Sequence, residues 1–162
     1  GDNQDVNTEY EDHPGEAYVE YAWAQYAGTA AADIDWDALS VSLNEGDEEE
    51  IAALTDEGNG AYYLITMEIQ NNTDRDLDMT AVEETDITFS LYGNEVSCRK
   101  VFYGFSDVIR SDGDYGYLDC LIYLPYEWTD PCLPDGYMSL SGTADAGQGE
   151  PMSFDLVYYF EY

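Results

Sequence analysis

Alternate aspartates recur in this chain, as Asp33, Asp35 and Asp37, as Asp74, Asp76 and Asp78, and more loosely as Asp112 and Asp114. Carboxylates at every second position of a loop can converge on one hard cation, which is why calcium loops place acids at their first, third and fifth positions. Such a loop of the EF-hand kind also needs a glycine at the sixth position and a glutamate at the twelfth. Those places hold Ala38 and Asn44 after the first run, and Met79 and Thr85 after the second. Neither run is an EF-hand. The spacing leaves calcium open at any one of these runs, with Asp74, Asp76 and Asp78 taken as the candidate and solvated turns as the competing reading, and no other cofactor is expected.

Other chemistries find less support. Glycoside hydrolysis needs two carboxyls at a fixed separation, one of them desolvated, and 36 Asp and Glu residues offer too many candidates to select a pair. The single histidine, His13, lies in a polar opening stretch, so a Ser-His-Asp or Cys-His arrangement has no base inside the fold. The glycines of "GNG" and "AGQG" fall between strand-like segments and not before a helix, so they build no phosphate cradle. The expectation is a protein without catalytic activity. Cys98, Cys120 and Cys132 match no zinc spacing. In an exported chain a bridge between Cys120 and Cys132 would pin a Pro-rich loop to the strand it leaves, the alternative being free, buried thiols.

Tyrosine is the better functional clue. Of 16 tyrosines, Tyr62, Tyr92, Tyr115, Tyr117 and Tyr126 fall on polar phases or in loops, and Trp128 sits in a loop beside the last of them. An aromatic ring with a hydroxyl can stack on a sugar or anchor a protein interface. The competing role for these rings is to cover strand edges and the rims of a core.

Charge narrows the partners. Four basic residues against 36 acidic ones leave a formal net charge of −32, and residues 1–60 contain no Lys or Arg. Such a field repels nucleic acid and anionic lipid. A protein or glycan partner, cationic where charge matters, is what remains. No run of apolar residues reaches the length of about 20 needed to span a bilayer. Gly1 followed by "DNQDVNTEYEDHPGE" reads as a cleavage scar and an acidic tether, the remainder of a chain from which an export signal or lipid-anchored N-terminus has been removed. The membrane would then be reached through that anchor alone.

Hydrophobic alternation organises the rest. Residues 1–15 have almost nothing to bury and read as a disordered acidic leader. "EAYVEYAWAQYAGTAAAD" is rich in alanine and places Val19, Ala22, Trp23 and Tyr26 on one helical stripe, so 16–34 is expected as a short helix or an irregular packing segment. Read at period two, Ala17, Val19, Tyr21 and Trp23 would share a strand face instead. From residue 35 onward seven strands follow, beginning with "WDALSVSLNEG", whose Leu39, Val41 and Leu43 alternate with polar residues. In "YYLITMEIQNNTDRDLDM" Tyr63, Ile65, Met67 and Ile69 face one way, with Leu64 as the one breach of the pattern. "TDITFSLYG" and "EVSCRKVFYGF" form a hairpin, "YGYLDCLIYLP" stands alone, and "YMSLSGTAD" pairs with "PMSFDLVYYFEY" across a glycine-rich turn. Seven short antiparallel strands in about 130 residues suggest a two-sheet sandwich, the structural alternative being a closed barrel.

The order of "GAYYLITMEIQNNTDRDLDM", "ITFSLYGNEV", "YGYLDCLIYLPYEW" and "SFDLVYYF" resembles the immunoglobulin-like, telokin-like domains of unknown function carried by Gram-positive surface lipoproteins. The likeness covers residues 36–162. It implies an all-β immunoglobulin-like sandwich over residues 35–162, held at the cell surface as an extracellular binding or spacer module, and it brings no catalytic residues. The marked acidity, the N-terminal extension and the three cysteines depart from that pattern.

Overall fold

The structure is a computed structural model that describes residues 13–55, 58–101 and 106–161. Its frame follows from the alternation just noted. Ile65, Met67 and Ile69 have no solvent-accessible surface, and the strand that carries them, β2 (Gly60–Asn71), lies between β1 (Ala17–Gly28) and β8 (Asp114–Pro125). Short strands follow β2: β3 (Leu77–Asp78), β4 (Ile87–Leu91), β5 (Asn94–Val96), β6 (Cys98–Lys100) and β7 (Val108–Ile109). The chain ends with β9 (Tyr137–Ala144) and β10 (Met152–Tyr159).

These strands form two four-stranded antiparallel sheets, ordered β1-β2-β8-β6 and β10-β9-β4-β5, with a small ribbon pairing β3 and β7. The sheets face each other as a sandwich and not as a barrel. Between them lies the main core, in which Ile65, Met67 and Ile69 meet Phe89, Leu140, Phe154 and Leu156. Phe89 and Phe154 pack edge to face with centroids 5.4 Å apart. The chain changes sheets at Ser97, between β5 and β6.

The alanine-rich segment 16–34, expected as helix or irregular structure, is the strand β1. Its pairing with β2 is interrupted by a register shift between Val19 and Tyr21. Before that bulge Ala17 and Val19 pack against the core, and after it Ala22 and Ala24 do. One extra residue shifts the inward phase, so neither a period of two nor a helical stripe runs clean through the segment. The sandwich therefore starts at Ala17 and not at residue 35. His13, assigned to a loose leader, is docked: its ring stacks on Tyr18 at 3.9 Å and its carbonyl accepts from Asn72 Nδ2 at 3.0 Å. The rest of the expected leader, residues 1–12, lies outside the described residues.

The expected first strand, "WDALSVSLNEG", is a second correction. Residues 36–40 form turns, with Ser40 at a φ of 59°, and no ladder is built there. The alternation nevertheless marked burial correctly, since Leu39, Val41 and Leu43 all turn onto a second apolar cluster. This cluster lies on the outer face of the first sheet, where residues 31–55, including the short helix α1 (Asp47–Ala52), cover Tyr62, Leu64, Leu121 and Tyr123. Leu64 thus breaks the alternation because at that level β2 is buried on both faces. Arg99 ties this cover to the sheet through Asp47 at 2.7 Å, Glu50 at 2.7 Å and Glu84.

Candidate functional site

Among the described residues, the cover formed by residues 31–55 protects one end of the outer face of the first sheet and leaves the other open. Pairing across β1, β2 and β8 sets out the other end as rows: Tyr18, Gln70 and Tyr115; then Tyr21, Glu68 and Tyr117; then Trp23, Thr66 and Asp119. Side chains at every second position of three adjacent strands must share a face. The bulge adds Glu20 to this surface beside Glu68. Tyr21, Tyr115 and Tyr117 are 64%, 45% and 41% exposed, large values for aromatic rings on rigid strands.

The rings and acids are interlocked. The Tyr18 hydroxyl donates to Gln70 Oε1 at 2.7 Å, and Tyr21 and Trp23 lie 5.4 Å apart between centroids. Desolvation and the neighbouring Glu68 carboxylate hold the Glu20 carboxyl above its ordinary pKa. The Tyr117 hydroxyl meets Glu68, which pushes that phenol upward, while partial burial and Glu20 do the same to Tyr115. Asp119 closes the row at 5% exposure, with one carboxylate oxygen unpartnered and burial raising its pKa despite a bond from Thr66.

Asp119 yields a pH prediction. A carboxyl whose pKa is higher in the folded than in the unfolded chain binds its proton more tightly when folded, so its contribution to stability falls as pH rises through that interval. Asp119→Asn should therefore raise the unfolding free energy by about 1 kcal/mol near pH 7 and leave it unchanged near pH 3. Urea titrations across that range test this. A variant that loses stability at neutral pH would show that the ionised carboxylate is needed.

Of the aromatic residues singled out in the sequence, the fold brings only Tyr115 and Tyr117 to one place. Tyr62 is a correction: it has no exposed surface, donates to the Ile51 carbonyl at 3.2 Å and packs edge to face on Tyr123. Tyr92 occupies the β4–β5 turn, where it accepts from the Cys132 thiol at 3.3 Å. Tyr126 and Trp128 belong to a four-residue helix, α2 (Tyr126–Thr129); Trp128 packs half-buried on the main core, and Tyr126 lines a cleft of about 550 Å³ with Leu54 and Tyr123.

The expected calcium loop does not assemble. Asp78 accepts from the Thr80 hydroxyl and amide, which lowers its pKa, and Asp76 takes the Ser111 amide at 2.8 Å and faces Arg110. Asp78 closes a local turn while Asp76 reaches across to the segment before β8, and among the described residues no three ligating side chains converge on a metal position. The Cys120–Cys132 bridge is likewise absent: all three cysteines are free. Cys120 points into the main core beside Cys98, whose contact, together with burial, raises its pKa well above the ordinary thiol value. Asn71 of the Asn-Asn-Thr sequon is wholly buried, bonding Arg75, Ile109 and Thr73, so it organises the turn and offers no glycan attachment.

No protein-family profile matches the chain, and no curated protein does. Three solved structures align with the chain at low identity. A candidate lipoprotein of Bacillus subtilis is 10% identical with a TM-score of 0.45, covering 91% of this chain, which spans only 39% of that protein's length. An Archaeoglobus fulgidus protein is 10% identical with a TM-score of 0.41, covering 89% of this chain and 98% of its own. An uncharacterised β-sandwich protein of Clostridium difficile is 15% identical with a TM-score of 0.40, covering 89% of this chain and 91% of its own.

Proposed function

We propose that this chain is a non-catalytic, immunoglobulin-like binding module displayed on the outside of a cell envelope, and that its ligand, a glycan or a protein, lies on the uncovered half of the first sheet. The carrying observation is the exposed row of Tyr21, Tyr115 and Tyr117 on strands whose other face is fixed in the main core. Rings held this way lose little freedom when a partner settles on them, so their apolar area is available for binding. The strand order supports the immunoglobulin-like reading. If β1, β2, β8 and β6 are equated with strands A, B, E and D, and β4, β9 and β10 with C, F and G, the two sheets reproduce the ABED and CFG sets, with β5 added beside C.

Arrays of surface glycans and peptides test the reading. The Tyr115→Ala/Tyr117→Ala variant should lose binding by tenfold or more while unfolding at nearly the wild-type denaturant concentration, and Tyr92→Ala should bind as the parent does. Equal binding by the parent and the double variant would remove this face from consideration.

A further inference from the structure

The uncovered face holds two acids for which no counterion is found among the described residues. Glu20, left unpaired at the bulge beside the Tyr21–Glu68 pair, adjoins Glu68, and the two acids interact with each other and with the hydroxyls of Tyr115 and Tyr117. All four basic residues of the chain are placed elsewhere. Arg99 is gripped by Asp47, Glu50 and Glu84, and Lys100 is buried with its ammonium on the carbonyls of Met79 and Val82. Arg110 faces Asp76, and the carbonyl of Arg75 lies in the turn that Asn71 organises.

Resting on the binding-module reading, we propose that this face docks a basic polypeptide segment, with an arginine or lysine side chain of the partner seated between Glu20 and Glu68 and its stem against the rings of Tyr115 and Tyr117. Charge complementarity selects this occupant. Two adjacent carboxylates repel, and a guanidinium or ammonium between them relieves that repulsion while forming charge-assisted hydrogen bonds. Exposed aromatic rings beside an acid pair can take both a cation and its aliphatic stem. A hard metal ion would need about six oxygen ligands, and no group of three ligating side chains gathers there among the described residues. An anionic partner would meet the same acids and a net charge of −32.

A chain this acidic attracts any polycation diffusely, so the test must separate a seat from a field. Calorimetric titration with a capped peptide alternating arginine and serine would compare the parent with Glu20→Gln/Glu68→Gln. The control is Asp33→Asn/Asp155→Asn, which removes the same two charges from exposed positions away from this face. The acid pair should matter: its variant weakens binding at least tenfold, the control less than twofold, and Tyr115→Ala/Tyr117→Ala weakens it as well. Equal weakening by the two charge variants, or none by either, overturns the seat. A neutral glycan that binds the face, is lost with the tyrosines and is indifferent to Glu20→Gln/Glu68→Gln would overturn the basic occupant and leave the binding-module reading standing.

Discussion

Arg99→Ala lowers the unfolding free energy by about 3 kcal/mol, because it strands acids that the fold has already gathered. The guanidinium reaches Asp47 and Glu50 at 2.7 Å each, and Glu84 as well. Glu50 is 58% exposed and would add little in any pairing. Asp47 decides the size of the effect, since its side chain is 5% exposed. Among the described residues, truncating the arginine leaves that carboxylate buried with the Asn44 amide, 2.6 Å away, as a hydrogen-bond donor. Coulomb repulsion from Glu84 then acts without opposition. Urea unfolding at low salt measures the loss, and Arg99→Ala/Asp47→Asn should recover more than half of it. A loss below about 1 kcal/mol would mean that Asp47 finds other solvation when the cover over the sheet loosens.

Tyr62→Ala should cost about 4 kcal/mol, in the middle of the range for aromatic truncation in a core. The ring has no exposed surface, packs on Tyr123 at 5.0 Å and 66°, and donates to the Ile51 carbonyl in α1. Tyr62→Phe keeps the ring, removes the hydroxyl with its bond to Ile51, and should cost about 1 kcal/mol. Both Tyr62 and Arg99 fasten α1 to the outer face. Once either is lost the helix is partly detached, so Tyr62→Ala/Arg99→Ala should cost less than the sum of the two single changes. Strict additivity would show that residues 31–55 do not move as a unit. Calorimetric melting of the four proteins reads this directly.

The face that becomes the candidate site was half visible in the chain. Glu68, Gln70, Tyr115 and Tyr117 alternate with apolar residues on what are now β2 and β8, so their outward direction followed from side-chain period alone. Glu20, Tyr21 and Trp23 were hidden, because the bulge shifts the phase within the strand and the surrounding alanines suit a helix equally well. The assignment of Tyr62 to a binding surface failed for a different reason. It shares the outward phase of Glu68, yet the cover from residues 31–55 lies over one and not the other.

What the amino-acid order determined by itself is the interior between the sheets. Period-two runs through Ile65, Met67 and Ile69, through Leu118, Cys120 and Ile122, and through Met152, Phe154 and Leu156 all enter one core, because burying those side chains dominates the free energy of each strand. The turns after Leu91 and Ala144 were legible for a similar local reason, since Gly93, Gly147 and Gly149 adopt positive backbone angles there, with Tyr92 also in the left-handed region. Tertiary structure alone decided which outer surface stays wet, which of 36 acids meet an arginine and which meet one another. Those outcomes depend on contacts between residues far apart along the chain, and no local pattern records where a distant segment will come to rest.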